Sequence, residues 1–363
     1  MSDTVLVTGA SGFVAQHCIL QLLEAGYDVR GTLRHADRES EVRRVLDEHL
    51  SSAARSRLPD SFSVAVADLT ADEGWPAAAT GCRFVLHVAS PLPLAQPKDE
   101  DEVIVPAREG TLRVLRAADE AGVARLVLTS SIAAMMYGPG RARVLDDDDW
   151  SDLDNRSIDA YARSKTIAER AAWAYAQSRG TDTQMDVVAI NPGIVLGPLL
   201  SADASVSVET VSRLMNHQVP GIPNLTFPIV DVRDVAAAHL SAMTTPEASG
   251  QRYLCARSSV PLREIAFILS RHFSEQGFKV PTRRLPKPAL RFAALFDKDL
   301  RFVVREVGLP LRINTTKIRR QLGFTPRDVT TTAIDTAESM VRYGIVSTTR
   351  PRRRRGAVNP PAG

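Results

Sequence analysis

Val5-Leu-Val-Thr-Gly9-Ala-Ser-Gly12-Phe-Val-Ala15 runs an apolar strand into a glycine-bearing turn and then into a helix. Gly9 supplies backbone angles closed to other residues, Gly12 lets the chain approach an anion, and the N–H groups of the helix start point at it. The spacing is G-x-x-G-x-x-A. Ala15 stands where a third glycine is often found and is small enough for close helix–strand packing. A glycine pattern alone marks only a strand–turn–helix; between this strand and this helix it reads as a cradle for the pyrophosphate of a dinucleotide.

Working outward, 363 residues suit one large α/β domain with a smaller attached lobe. Hydrophobic residues at 44% and charged residues at 24% describe an ordinary globular chain. The net charge of +3 owes everything to five arginines in the tail Arg350-Pro-Arg352-Arg-Arg-Arg355. Without them the body is slightly acidic, which argues against a general nucleic-acid surface, and a short basic terminus is ordinarily solvated. Cys18, Cys82 and Cys255 lie far apart, read as buried thiols of a reducing compartment, and form no metal site. The start lacks the pattern of a secretory leader and no apolar run is long enough to span a bilayer, so a cytoplasmic protein without membrane partners is expected.

After the turn, apolar residues from Val14 to Ala25 recur at helical spacing and stop at Gly26. Tyr27 to Leu33 reads as the second strand and ends at Arg34. In a dinucleotide fold this strand end meets the adenosine ribose, where an arginine accommodates a 2′-phosphate, so Arg34 points to NADP while Asp37 leaves NAD open. Glu39 to Leu50 reads as an amphipathic helix and Phe62 to Ala67 as a third strand. Asp68 and Leu69 at its end either meet the adenine or, for Asp68, cap the next turn. Arg83 to Ala89 is an apolar strand covered on both faces, which makes His87 a core histidine and puts Ser90 and Pro91 in a ligand-side loop. A crossover helix over Pro106 to Ala121 and a strand over Arg125 to Ser131 continue the alternation.

Leu145-Asp-Asp-Asp-Asp149-Trp150 reads as a solvated acidic loop, because adjacent carboxylates do not converge on a metal. Asp159 to Ser178 is a helix, and Met185 to Ile190 a strand that ends in Asn191-Pro-Gly193. The alternation specifies a doubly wound parallel sheet of Rossmann type. Residues 1–198 with about 225–257 are assigned to the dinucleotide domain, 199–224 and 258–345 to an interleaved substrate-binding lobe, and 346–363 to a disordered basic tail.

Tyr161 and Lys165 stand one helical turn apart on one face. A neighbouring cation stabilises phenolate and draws the phenol's pKa toward the working range, so that Tyr161 can protonate a carbonyl oxygen. Ser131, at the end of the preceding strand, can hydrogen-bond the same oxygen.

Together Thr8-Gly-Ala-Ser-Gly12-Phe-Val-Ala15, Arg34, His87-Val-Ala-Ser-Pro91, Glu109-Gly-Thr111, Thr129-Ser-Ser131, Tyr161-Ala-Arg-Ser-Lys165 and Asn191-Pro-Gly193 resemble the extended short-chain dehydrogenase/reductase superfamily. Within it they resemble the dihydroflavonol 4-reductase-like branch, with its microbial aldehyde and ketone reductases. The resemblance implies a catalytic triad of Ser131, Tyr161 and Lys165, with Lys165 also on the nicotinamide ribose and Ser130 packing or capping. It implies an NADP site built from Thr8, Gly9, Ser11, Gly12, Phe13, Val14, Arg34, Asp68, Leu69, Val88, Ala89 and Ser90, completed by Tyr161 and Lys165 and by the main chain of Pro192, Gly193, Ile194 and Val195.

Plant dihydroflavonol reductases carry an asparagine five residues after the catalytic serine, where this chain has Met136. A pocket walled by Ser90, Pro91, Met135, Met136 and Tyr137 is more apolar and suits an aldehyde, ketone or β-keto ester. The reading is an NADPH-dependent carbonyl reductase acting on a small molecule as monomer or homodimer. A sugar-nucleotide epimerase/dehydratase or hydroxysteroid dehydrogenase of the same superfamily is the alternative, and a non-catalytic NADP-sensing regulator is a third.

Overall fold

The computed structural model describes residues 2–91, 97, 99–138, 144–155, 158–180, 185–202, 208–295, 304, 307–308 and 311–348. In chain order the elements are β1 (Thr4–Val7), α1 (Phe13–Glu24), β2 (Asp28–Leu33), α2 (Glu39–His49), α3 (Ser52–Ser61), β3 (Phe62–Val66), α4 (Trp75–Ala79), β4 (Phe84–His87), α5 (Asp101–Glu120) and β5 (Arg125–Thr129). There follow β6 (Val144–Leu145), α6 (Ala160–Arg179), β7 (Asp186–Pro192), β8 (Ile194–Leu196), α7 (Glu209–Met215), β9 (Thr226–Asp231), α8 (Val232–Thr244) and β10 (Arg252–Cys255). The chain closes with β11 (Ser258–Pro261), α9 (Leu262–Phe273), α10 (Lys287–Ala293), β12 (Arg312–Ile313), α11 (Thr316–Leu322) and α12 (Val329–Arg342).

Seven strands form one parallel sheet in the order β10-β7-β5-β4-β1-β2-β3. This is the Rossmann-type α/β architecture expected from the alternation. The order reverses beside β1, and at that switch point β1 and β4 deliver their carboxyl ends to one crevice, where ligands of open parallel sheets bind. Helix α1 packs against α8 over one face, with Val5, Val7, Ile19, Leu86, Val188 and Val235 in its core. Helices α5 and α6 cover the other face and pack on each other.

A second core gathers Leu196, Leu214, Ile229, Leu269, Phe273 and Met340 from the later elements. There β8, β9 and β11 make a small separate sheet, so β9 leaves the main sheet while the following α8 returns to it. The two regions are stitched together by charge. Asp231, at the start of α8, receives Arg233 at 2.7 Å and the Thr332 hydroxyl at 2.9 Å, and Arg327 pairs with Asp234.

Several local expectations shift. The stretch after the expected second helix, whose Ser51 to Ser56 are polar in sequence, forms helix α3, which starts from the Ser51 cap and buries Ala54 and Leu58. Helix α5 begins at Asp101 and carries Pro106 inside it, because acidic Asp101 and Glu102 suit the positive helix start. The run Asp146 to Asp149 is not simply solvated. Asp147 and Asp149 are buried, Asp147 Oδ1 accepting from Leu254 N at 2.6 Å and Asp149 Oδ2 from Asp146 N at 2.9 Å. Residues 349–363, most of the basic tail, lie outside the described residues.

Candidate active site

Thr8 ends the first strand's run buried, its hydroxyl accepting from Ala89 N and bonded to His87 Nδ1, both at 2.9 Å. The glycine turn is thereby fixed to the loop after β4. Gly9 has φ +71°, and a side chain there would also press on Ala89, its Cβ falling 3.1 Å from Ala89 Cβ. Gly12 has an ordinary φ of −78°; it is exposed and caps α1 without any side chain. The first N–H groups of α1 have no acceptor within the helix, and a residue without a side chain leaves them open toward an anion. The turn therefore fits a pyrophosphate. Phe13 and Val14 follow half-buried against the core, and Ala15 is fully buried in it.

At the end of β2, Arg34 is exposed, and it is Arg38 that touches the turn, donating to Ser11 Oγ at 3.2 Å while pairing with Glu41. Asp68 makes a tight local turn, its Oδ1 accepting from the N–H and hydroxyl of Thr70 at 2.8 Å each. These bonds, aided by the field of Arg34, hold its carboxyl below the usual range. Leu69 packs beneath α5, where a Cβ on Gly110 would come within 2.8 Å of it.

The three residues of the expected triad converge beside the ends of β4 and β5. Asp159 caps α6 by accepting from Ala162 N at 2.7 Å, and the helix then projects Tyr161 and Lys165 along one face. Ser131, itself capping a short 3-10 turn at Ala133 N, has its hydroxyl close enough to the Tyr161 phenol to act on it. Burial pushes the phenol's pKa up, the Ser131 hydroxyl opposes this, and Asp159 adds to it. Lys165 does not bring the phenol down as expected from the one-turn spacing. Its ammonium is buried and donates to Thr129 O at 3.3 Å, and its pKa falls to about 8 through burial while Glu169 supports the charge. A narrow cleft opens here, bordered by Ala89, Ser90, Thr129, Ser130, Lys165 and Glu169.

Glu169 is the residue the sequence reading passed over. It is 1% exposed and accepts from Ser130 Oγ at 2.5 Å, Asn191 Nδ2 at 2.7 Å, Arg252 Nε at 2.7 Å and Trp173 Nε1 at 3.2 Å. Its signal was present as a third member of the series Tyr161, Lys165, Glu169, each one turn on. Ser130, expected to pack or cap, is a bonding partner of this carboxylate.

His87, the last residue of β4, is buried, and burial first, then Lys165, holds its pKa down to about 3; it is a neutral core residue bonded to Thr8. Val88, Ala89, Ser90 and Pro91 are half-buried at the crevice. Across from them, β7 runs into Pro192 and Gly193, then Ile194 and Val195 enter β8. Gly193 is required by the small sheet, since a Cβ would lie 2.4 Å from Pro228 O.

The methionines divide. Met135 is fully buried against Ile132, Leu145 and Leu254, so it backs the expected pocket wall, whereas Met136 is only partly buried. Tyr137 is buried against Ile158 and Ala162, and its N–H donates to Ser151 Oγ at 3.0 Å. Among the described residues no group of three or more His, Cys, Asp or Glu is placed to hold a metal, and no helix is long and apolar enough to cross a membrane.

The NAD dependent epimerase/dehydratase family matches residues 5–256. Among curated proteins, the chain is 38% identical over 287 residues to a cinnamoyl-CoA reductase 1 of Petunia hybrida, covering 77% of this chain and 80% of that one. It is 34% identical over 331 residues to a dihydroflavonol 4-reductase of Zea mays, covering 89% and 84%. Among solved structures, yeast methylglyoxal/isovaleraldehyde reductase Gre2 complexed with NADPH superposes with a TM-score of 0.78 at 26% identity, covering 94% of this chain and 99% of that one.

Proposed function

Because the chain belongs to the NAD dependent epimerase/dehydratase family, on the dihydroflavonol 4-reductase-like branch, we propose that it is an NADPH-dependent reductase whose Tyr161 delivers a proton to the oxygen of an aldehyde, ketone or β-keto ester. The observation that carries this reading is the placement of the Ser131 hydroxyl where it acts on the Tyr161 phenol, with Lys165 one turn along α6 lining a cleft with the loop after β4. The NADPH-bound relative supports the cofactor, and so do Arg38 at the turn and Arg34 at the end of β2.

The pyrophosphate would rest on Thr8, Gly9, Ser11 and Gly12 and the start of α1, and the 2′-phosphate between Arg34 and Arg38. The adenine side would face Asp68 and Leu69. Val88, Ala89 and Ser90 would border the nicotinamide from one side, and Pro192, Gly193, Ile194 and Val195 from the other. NADPH, when bound, supplies the hydride.

The chain's own residues handle the proton. Burial keeps Tyr161 protonated at neutral pH, which is the form a proton donor needs. Ser131 holds the phenol in place and offers a second hydrogen bond to the developing oxyanion. Ser90, Pro91, Met136 and Tyr137 are the candidate wall of the substrate pocket, with Met135 behind them, and the later lobe closes it. NADPH consumption over a panel of aldehydes, ketones and dihydroflavonols tests the reading; turnover of simple carbonyls supports it, and inertness toward the whole panel contradicts it.

A further inference from the structure

The catalytic face of α6 ends in a buried ion cluster. Glu169 sits one turn beyond Lys165, and Arg252 reaches it from β10 with its Nε 2.7 Å from Oε1. Arg252 is itself pinned, its Nη1 donating to Asp147 O at 3.1 Å and Asp149 O at 2.6 Å and its guanidinium lying 3.8 Å over the Trp150 ring. The loop carrying these groups continues to Ser151, whose hydroxyl donates to Ala133 O at 2.7 Å and whose N–H donates to Ala134 O at 2.8 Å. One carboxylate therefore joins the lysine face of α6 to the loop that supports the Ser131–Tyr137 turn.

We propose that Glu169 is the positioning residue of the site: seated between Lys165 and Arg252, it keeps Lys165 an ammonium aimed at the end of β5 and fixes Asn191 and Ser130 around it. The proposal rests on the reading of Lys165 given above. It follows from charge balance. Arg252 is paired with this buried carboxylate, and buried Lys165, one turn back on α6 and lining the same cleft, lies in its field. Arginine does not deprotonate in proteins, so when the carboxylate is neutralised the lysine is the group that gives up its proton.

The remaining neighbours do not take over. His87 on β4 is held neutral by burial, β5 presents only the Thr129 carbonyl, and Tyr161 on α6 is protonated. Asp159 acts on Tyr161, and the Asp147 carboxylate is engaged by Leu254 N. Asn191 on β7 is oriented by the same residue, giving Nδ2 to Glu169 and, at 3.2 Å, to Ser131 O. Its Oδ1 is buried without a partner among the described residues, and turning the amide over would set two acceptor oxygens against each other.

The test is the titration of Lys165, followed by NMR in protein carrying isotope-labelled lysine; the chain has six lysines, and Lys165→Met assigns the signal. Glu169→Gln moves the Lys165 titration down by about one pH unit or more, and the alkaline limb of NADPH-dependent turnover moves with it. Arg252→Gln removes the competing cation and moves both upward. Whichever variant melts cooperatively decides the matter. A Lys165 titration unmoved in a folded variant overturns the proposal. The NMR readout needs no turnover, so a wrong functional reading would show as inert wild-type protein whose Lys165 still responds to Glu169→Gln.

Discussion

The Ser131 hydroxyl acts on the Tyr161 phenol against the burial that pushes the phenol's pKa up. The tyrosine is held as an acid and answers to the serine rather than to Lys165, whose ammonium donates to Thr129 O. Ser131→Ala therefore lowers kcat about 100-fold, the scale of one lost oxyanion donor, with little change in NADPH affinity. Steady-state kinetics beside a fluorescence titration of NADPH measure both.

The pH profile of reduction follows from the same groups. Tyr161 must be protonated and Lys165 charged. The phenol is raised, so it stays protonated well past neutrality, and Lys165, at about 8, is the first of the two to change. Reduction is expected to hold through neutral pH and to fall as pH rises through 8. A profile of kcat/KM at saturating NADPH checks it.

Gly9→Ala meets two costs, a left-handed backbone at φ +71° and a methyl 3.1 Å from Ala89. The backbone alone costs about 1–2 kcal/mol. A fall in melting temperature and a loss of NADPH affinity are expected together, since the methyl pushes on the loop proposed to border the nicotinamide.

Ala15→Gly distinguishes packing from ligand approach. The methyl is buried in the core beneath α1. Removing it inside a helix costs about 1 kcal/mol and is expected to leave NADPH affinity unimproved. Thermal melting with a cofactor titration reads both.

Asp231 ties the start of α8 to α12. Burial alone would raise its pKa, but the bonds from Arg233 and Thr332 outweigh this and leave it below its ordinary 3.8. A depressed carboxyl contributes stability above the unfolded-state pKa and loses it as pH falls through the folded value. Asp231→Asn is thus expected to cost about 3 kcal/mol near neutrality, the scale of breaking a buried pair. The difference from wild type should close below pH ~4, as measured by urea unfolding at several pH values.

What the sequence displayed was local. The strand–turn–helix at Thr8 to Ala15, the alternation behind the seven-stranded sheet, and the one-turn spacing of Tyr161 and Lys165 are all written in neighbouring residues, and they give the fold and the convergence of the candidate triad. What escaped depends on distant partners. Asp147 and Asp149 look solvated until Arg252, about a hundred residues on, is brought beneath them. Met135 and Met136 are alike in sequence, and only the packing of Leu145 and Leu254 buries one fully. Glu169 shows its helical register but not the serine, asparagine and arginine that three strands bring to it. Gly193 reads as a ligand-side glycine, whereas the approach of Pro228 already demands it.

The central claim is that Tyr161 gives the proton. The direct measurement is NADPH consumption by Tyr161→Phe with the best carbonyl of the panel, beside an NADPH binding titration of the same variant. Loss of turnover with cofactor binding intact is the predicted result. Near-normal turnover in that variant would contradict it.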